Sequence, residues 1–346
     1  MAAPGGSQRW RMPPPAPQQR IAWPAAFGRR FVVFVDTEEE FDWAAPFSRA
    51  ARSVSAIAAL PEMHRRFVDR GVHPCYLCDY PVVADPRAAA TLRGLVADGR
   101  STIGAQLHPW VNPPHAEEPS AHLSFGGNLP PVLEAQKLDR LTTAIADVFG
   151  RAPLAFRAGR YGLGPRTLGL LAERGYRLDT SVRSFHDYSA QGGPDYRAIG
   201  PDAFRVSQAP GLIELPLTTI FTGLLRRAGA PVHRAATRLP RGAGLLARSR
   251  LLSRVPLTPE GVSIAEASAA VRLAAQDGTR LLTLSFHSPS LVPGHTPYVR
   301  DEQDAARFHQ WWVAMLDLLD AQGFAPATLD DVLQAATQDR DTSARP

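Results

Sequence analysis

Cysteine and lysine are almost absent: among 346 residues there are two cysteines, Cys75 and Cys78, and one lysine, Lys137. Two cysteines exclude a disulfide framework and a complete four-cysteine zinc site. Their C-x-x-C spacing leaves a redox pair or half a zinc site open. In an extended strand, however, residues three apart point to opposite faces, so two buried reduced thiols are expected, in keeping with a cytoplasmic protein. Long apolar runs are missing too. None approaches the roughly 18 residues that a membrane helix needs, so no transmembrane segment is expected. The first 28 residues are rich in Pro, Gln and Arg without an apolar signal core, and Arg29-Arg30 precede only the short run Phe31 to Val35. The expectation is a disordered N-terminal arm, residues 1–28, on a cytoplasmic chain. With so little lysine, the formal charge of +5 is arginine-borne. That skew arises as easily from genome composition as from a binding surface, and nucleic acid is not an expected partner.

What is present is a hydrophobic fraction of 45%, enough for a large core. Short apolar runs alternate with amphipathic stretches of helical length, the pattern of parallel strands joined by helices. Expected strands are 31–36, 73–78, 101–107, 154–157, 177–181, 212–216 and 280–287. Expected helices are 54–70, 87–98, 131–149, 165–174, 264–277 and 301–322. Prolines at 131 and 165 open helices, and glycines at 71, 150, 175 and 323 follow them. Seven strands without a composition break favour an α/β fold, a single distorted (β/α)7-type barrel over 29–336, although an open doubly wound sheet shows the same alternation. An Arg-, Gly- and Leu-rich stretch at about 221–259 interrupts the pattern as an inserted basic helical segment, and 337–346 is expected to be a disordered tail.

In parallel α/β architectures the functional groups gather at the carboxyl ends of strands. The first strand runs into Asp36-Thr37-Glu38-Glu39-Glu40, an acidic mouth that repels itself unless a cation or an arginine neutralises it. The third ends in Gln106-Leu107-His108-Pro109-Trp110-Val111-Asn112, and His108 offers an imidazole of the kind zinc prefers. Asn112, four residues on, reaches the same ion if the loop makes one helical turn; His115 is its rival. The fourth strand delivers Arg157, whose guanidinium would orient the carboxylates. The fifth delivers Asp179, and the last ends at His287. Trp110 and Tyr161 are candidates to contact substrate, as is His295 on its Pro/Gly loop. Two histidines, several carboxylates and an arginine at strand ends point to metal-assisted hydrolysis.

The same motifs, in the same order, resemble those of the polysaccharide deacetylases, the NodB-homology group of carbohydrate esterase family 4. The likeness runs from about Phe31 to Leu333. The strings QLHPWVNPP and FHSPSLVPGHTPYV resemble an exopolysaccharide- and cell-wall-associated subgroup. The resemblance implies that Asp36 is the catalytic base, that Arg157 orients it, and that His287 is the general acid, oriented by Asp179. Glu38, His108 and Asn112 would hold a divalent metal, zinc or else cobalt or manganese. The substrate would be an N-acetylated carbohydrate that releases acetate. Two departures stand out: Thr37 replaces a frequent second aspartate, and Asn112 replaces a second histidine, which weakens affinity for zinc. Alternatives are a deacylase or linear-amide hydrolase on a small molecule, a weakened glycan-binding homologue, and a surface protein that uses its basic insertion to bind partners.

Overall fold

The structure, a computed structural model, describes residues 10–343. Its strands are β1 (Arg30–Thr37), β2 (Cys75–Cys78), β3 (Thr102–Leu107), β4 (Ala155–Ala158), β5 (Leu178–Asp179), β6 (Phe204–Arg205), β7 (Ile213–Glu214), β8 (Thr219–Thr222), β9 (Ser253–Pro256), β10 (Leu281–His287) and β11 (Ala325–Pro326). Seven of them run parallel in the order β10-β1-β2-β3-β4-β5-β7, and these are the seven expected from the sequence. The sheet curls without a continuous closing ladder. At the seam, the Thr218 hydroxyl accepts from the Thr283 amide at 2.8 Å and the Leu257 carbonyl from the Ser285 amide at 3.4 Å. β6 pairs antiparallel with β7 at the edge, and β11 adds to β1. The result is a distorted barrel.

Strand alternation separates two apolar layers. Val32 and Phe34 of β1 face the barrel interior with Cys75, Leu77, Ala155 and Leu178. Phe31, Val33 and Val35 face the surrounding helices. Those helices are α1 (Leu60–Val68), α2 (Tyr80–Ala84), α3 (Pro86–Leu95), α4 (Pro131–Phe149), α5 (Thr167–Glu173), α6 (Gly229–Ala236), α7 (Gly242–Arg248), α8 (Ile264–Gln276), α9 (Glu302–Ala321) and α10 (Leu329–Ser343). Local chemistry sets their ends: Pro131 opens α4 and Gly150, at φ 76°, closes it. Ser263 and Glu266 make a reciprocal capping box on α8. The two cysteines face opposite layers, Cys75 inward and Cys78 outward, both buried and free. Burial pushes the Cys75 thiol up to about 12, so it is no nucleophile.

Two terminal expectations change. The arm is ordered from residue 10 onward: Met12 is buried, Arg11 Nε donates to Asp195 Oδ2 at 2.9 Å, and the Ile21 amide bonds the Ala203 carbonyl at 2.9 Å. Ile21 and Phe27 join α10 residues Val332 and Leu333 in sealing the barrel floor. Burying each such side chain contributes roughly 1.5–3 kcal/mol, which offsets part of the entropy of ordering the arm. Residues 1–9 of the expected arm lie outside the described residues. At the other end α10 continues to Ser343, through most of the expected tail, and 344–346 lie outside the description. The insertion is helical, as expected. It is α6 and α7 on a two-stranded antiparallel stem, β8 with β9, so it begins at Thr219.

Candidate active site

Asp36 ends the interior face of β1, and its parallel register partner on β10 is His287. The fold therefore sets the two side by side, with His287 Nε2 3.7 Å from Asp36 Oδ2. Arg157, on the interior face of β4, donates through Nη1 to both oxygens of Asp36 at 2.6 and 2.7 Å. Its other nitrogens are fixed on Thr180, Nε to the carbonyl at 3.0 Å and Nη2 to the hydroxyl at 3.3 Å. Arg157 is 1% exposed, so this pair is dry and its geometry fixed.

His287 is held by a residue the sequence did not single out. Its Nδ1 lies 2.7 Å from Glu260 Oε2, and its backbone amide donates to Glu260 Oε1 at 3.0 Å. Ser290 adds a hydroxyl to Glu260 at 2.6 Å. Burial opposes charge on His287, but the carboxylates of Glu260, Glu38 and Asp36 outweigh it and raise its pKa to about 10. Asp179, expected to orient this histidine, does not reach it. Its register partner on β4 is Phe156, which faces the helices, so Asp179 points out of the barrel. There it accepts from the Ser181 hydroxyl at 2.6 Å and packs beside Glu214, its partner on β7. Burial raises the pKa of both carboxyls.

The second cluster forms around His108. Glu38 Oε2 accepts from Gln106 Nε2 at 3.0 Å and lies 3.4 Å from His108 Nε2. Behind the ring, Glu39 accepts at 2.7 Å from His108 Nδ1 and at 2.8 Å from the indole N–H of Trp110, which stacks on His108 with centroids 4.5 Å apart. Gly159 packs against the far side of the imidazole, where a β-carbon would collide with it. Glu39, Asp79 and His108 also bring three ligand atoms within 4.8 Å of one another. Protein donors already serve that group: Asp79 accepts from the amides of Glu39 and Val82, at 2.9 and 3.0 Å, and Glu39 from two rings. We therefore read Glu39 as the carboxylate that fixes the imidazole so that Nε2 faces Glu38. Burial, with the nearby charges of Asp36 and Glu39, outweighs the two histidines and raises Glu38 to about 8. A buried carboxyl so poorly compensated suits a cation.

The His108 loop makes the expected helical turn, with the Asn112 amide bonded to the His108 carbonyl at 3.0 Å. Asn112 does not line the cavity; its Nδ2 is pinned by the carbonyls of Pro113 and Lys137, at 2.6 and 3.0 Å. Its Oδ1 is buried with no partner, as is Gln106 Oε1. The free oxygen of Gln106, whose amide nitrogen bonds Glu38, joins the Glu38 carboxylate and the His108 imidazole in a donor set that fits a divalent cation. His115 is taken instead by Arg52, 3.0 Å from its Nε2. His295 sits 3.7 Å from Glu40 and does not line the cavity either.

Lys137 anchors this loop. Its ammonium is fully buried and donates to the carbonyls of Pro109, Asn112 and Pro114 at 2.9, 2.5 and 2.8 Å, with Glu117 at 3.0 Å. A tetrahedral ammonium suits three converging carbonyls, whereas a planar guanidinium does not. In a chain that uses arginine everywhere else, the lone lysine was the signal for it.

Asp36, Glu38, His108, Arg157 and His287 open on one cavity of about 420 Å3, with Trp110, Tyr161 and Trp43 among its walls. Trp110 is nearly buried and supports His108, while Trp43 is 49% exposed and edge-on to His287.

No protein-family model and no curated protein matches the chain. Solved structures do. A protein assigned as a polysaccharide deacetylase from Mycobacterium smegmatis is similar over 96% of this chain and 96% of its own, at 14% identity and a TM-score of 0.54. A second protein so assigned, from Pseudomonas aeruginosa PAO1, matches over 91% and 93% at 15% identity and a TM-score of 0.49. An allantoinase matches over 91% and 92% at 13% identity and a TM-score of 0.49. At such identities the likeness is one of fold, and it rests on the first of the three.

Proposed function

We propose that the chain is a metal-dependent hydrolase of carbon–nitrogen bonds that removes N-acetyl groups from a sugar. The observation that carries this reading is the convergence, in one cavity, of an arginine-held carboxylate, a carboxylate-held histidine and a separate Glu38–His108 pair that fits a cation. Glu38, His108 and Asn112 are the proposed ligands, with zinc, cobalt or manganese as candidates. Bound there, the cation supplies Lewis acidity toward the acetyl carbonyl and lowers the pKa of water. Asp36, fixed by Arg157, takes the proton of the attacking water. His287, kept protonated by Glu260, gives its proton to the departing amine nitrogen. Tyr161 lines the cavity beside these groups, and a backbone N–H near it is the proposed partner for the developing oxyanion. A cytoplasmic location is part of the proposal, which favours a soluble or lipid-linked precursor over a wall polymer. A deacylase acting on a small molecule is the second reading, favoured by a cavity of about 420 Å3, within the size range of small-molecule sites.

Acetate release from a panel of N-acetylated oligosaccharides and small amides, with and without added zinc, cobalt or manganese, tests both. Asp36→Asn and His287→Ala should each cut turnover by a factor of about 10² to 10⁴ while the fold persists. Wild-type turnover in either variant would overturn the roles given to them.

A further inference from the structure

Among the described residues, two guanidinium groups in the cavity wall have no acid paired with them. Arg157 is engaged by Asp36, but Arg160 and Arg183 line the same cavity and make no ion pair among the described residues. Arg160 is held by neutral acceptors: Ser124 Oγ at 2.6 Å, the Ala121 carbonyl at 3.2 Å and Gln191 Oε1 at 2.6 Å. Its guanidinium lies 4.1 Å from the Phe125 ring centroid. Arg183 lies over the ring of Tyr161 at 5.6 Å and next to Tyr188. The Tyr188 hydroxyl is buried in the cavity wall, and its one neighbour of complementary polarity is the Arg183 guanidinium, which it does not meet in full hydrogen-bond geometry.

The backbone here is strained as well. Arg160 and Tyr161 occupy left-handed conformations in succession, at φ 54° and 61°, which side-chain-bearing residues rarely adopt. That turn is what directs both side chains at the cavity. Half-buried guanidinium groups served only by neutral partners lack a counter-charge, and an anion seated between them supplies it. Both guanidinium groups interact with Tyr188 in the same wall, so an anion seated there would meet positive charge from two residues.

We propose that the substrate carries an anionic group, a carboxylate or a phosphate, besides its acyl amide, and that Arg183, the Tyr188 hydroxyl and Arg160 bind it. This deepens the hydrolase reading by naming the substrate class, and it can be tested apart from it. Calorimetric titration of the full chain with N-acetylglucosamine, N-acetylmuramic acid and N-acetylglucosamine 6-phosphate compares a neutral sugar with its carboxylate and phosphate counterparts. At least one anionic probe should bind about ten- to a hundredfold more tightly than the neutral one, and the preference should shrink as salt rises. Arg183→Gln should erase most of that ratio and Arg183→Lys should restore part of it; circular dichroism and Arg160→Gln guard against a folding artefact. Equal affinity for the three probes, no binding of either anionic probe at millimolar concentration, or a preference that survives both glutamine variants would overturn the proposal. Tight anionic binding without acetate release would sink the hydrolase reading alone. Equal deacetylation of neutral and charged sugars would sink this inference alone.

Discussion

Exchanging Lys137 perturbs the His108 loop without touching any group in the cavity. In Lys137→Met the carbonyls of Pro109, Asn112 and Pro114 lose their donor, and Glu117, whose side chain is 7% exposed, loses its counter-charge. Removing one partner of a buried pair costs about 3–5 kcal/mol, because the group left behind cannot rejoin water. Burial already lowers the pKa of Lys137, with Glu117 opposing, so the lost stabilisation belongs at the lower end of that range. Lys137→Arg keeps the charge but not the geometry. A larger planar fork in a close-packed pocket costs about 1–3 kcal/mol in strain, and it moves the loop that carries His108 and Asn112. A shift of about 1 Å in such groups lowers turnover by roughly a hundredfold. Urea unfolding, metal stoichiometry and kcat/KM on the three proteins separate the terms. The methionine variant should lose stability and activity together, and the arginine variant should lose activity out of proportion to stability. An arginine variant as active as the wild type would show that charge alone suffices, and the three-carbonyl clasp would be refuted.

Three further outcomes follow from the site. As a general acid His287 works protonated, so kcat/KM should fall as pH rises through about 10; Glu260→Gln removes the largest charge that raises it and should move that limb toward neutrality, and an unmoved limb would remove Glu260 from its role. The same raised pKa adds stability that is complete below the unfolded value of about 6.5 and lost as pH climbs through the folded one, so the wild type should weaken toward alkaline pH more steeply than Glu260→Gln in equilibrium unfolding. Gly159→Ala puts a methyl into the His108 ring and 2.6 Å from the Leu107 carbonyl; it should release bound divalent metal, measured by elemental analysis, and normal metal content would exclude His108 Nε2 as a ligand.

Much of the barrel was legible because parallel strands buried on both faces must be apolar runs, and FVVFV or LLTLSF cannot be much else. The chain order of strand ends then placed Asp36, Glu38, His108, Arg157 and His287 at one mouth. Asp179 failed on parity. In a two-residue strand, adjacent residues face opposite sides, and Leu178 takes the interior. Glu260 was hidden for another reason: it follows the inserted segment, and its pairing with His287 depends on how β9 returns to the barrel. The ordered arm was unreadable because Met12, Ile21 and Phe27 are scattered among prolines and become buried only against the finished barrel, Ile21 and Phe27 at its floor and Met12 in the outer apolar layer.

Charge neutralisation inside the mouth argues for where a cation belongs. Asp36 is neutralised by Arg157, Glu260 by His287, and Glu39 is served by His108 Nδ1 and the Trp110 indole. Asp79 accepts two backbone amides, and burial with Glu39 beside it raises its pKa. Glu38 is the remaining acid, with one amide from Gln106 and an imidazole 3.4 Å away, and it opens on the cavity. A cation at the Glu39–Asp79 group would have to displace bonds already made. One at Glu38 would add charge where it is lacking, in the cavity that Asp36 shares, and the free amide oxygen of Gln106 is an acceptor left beside it.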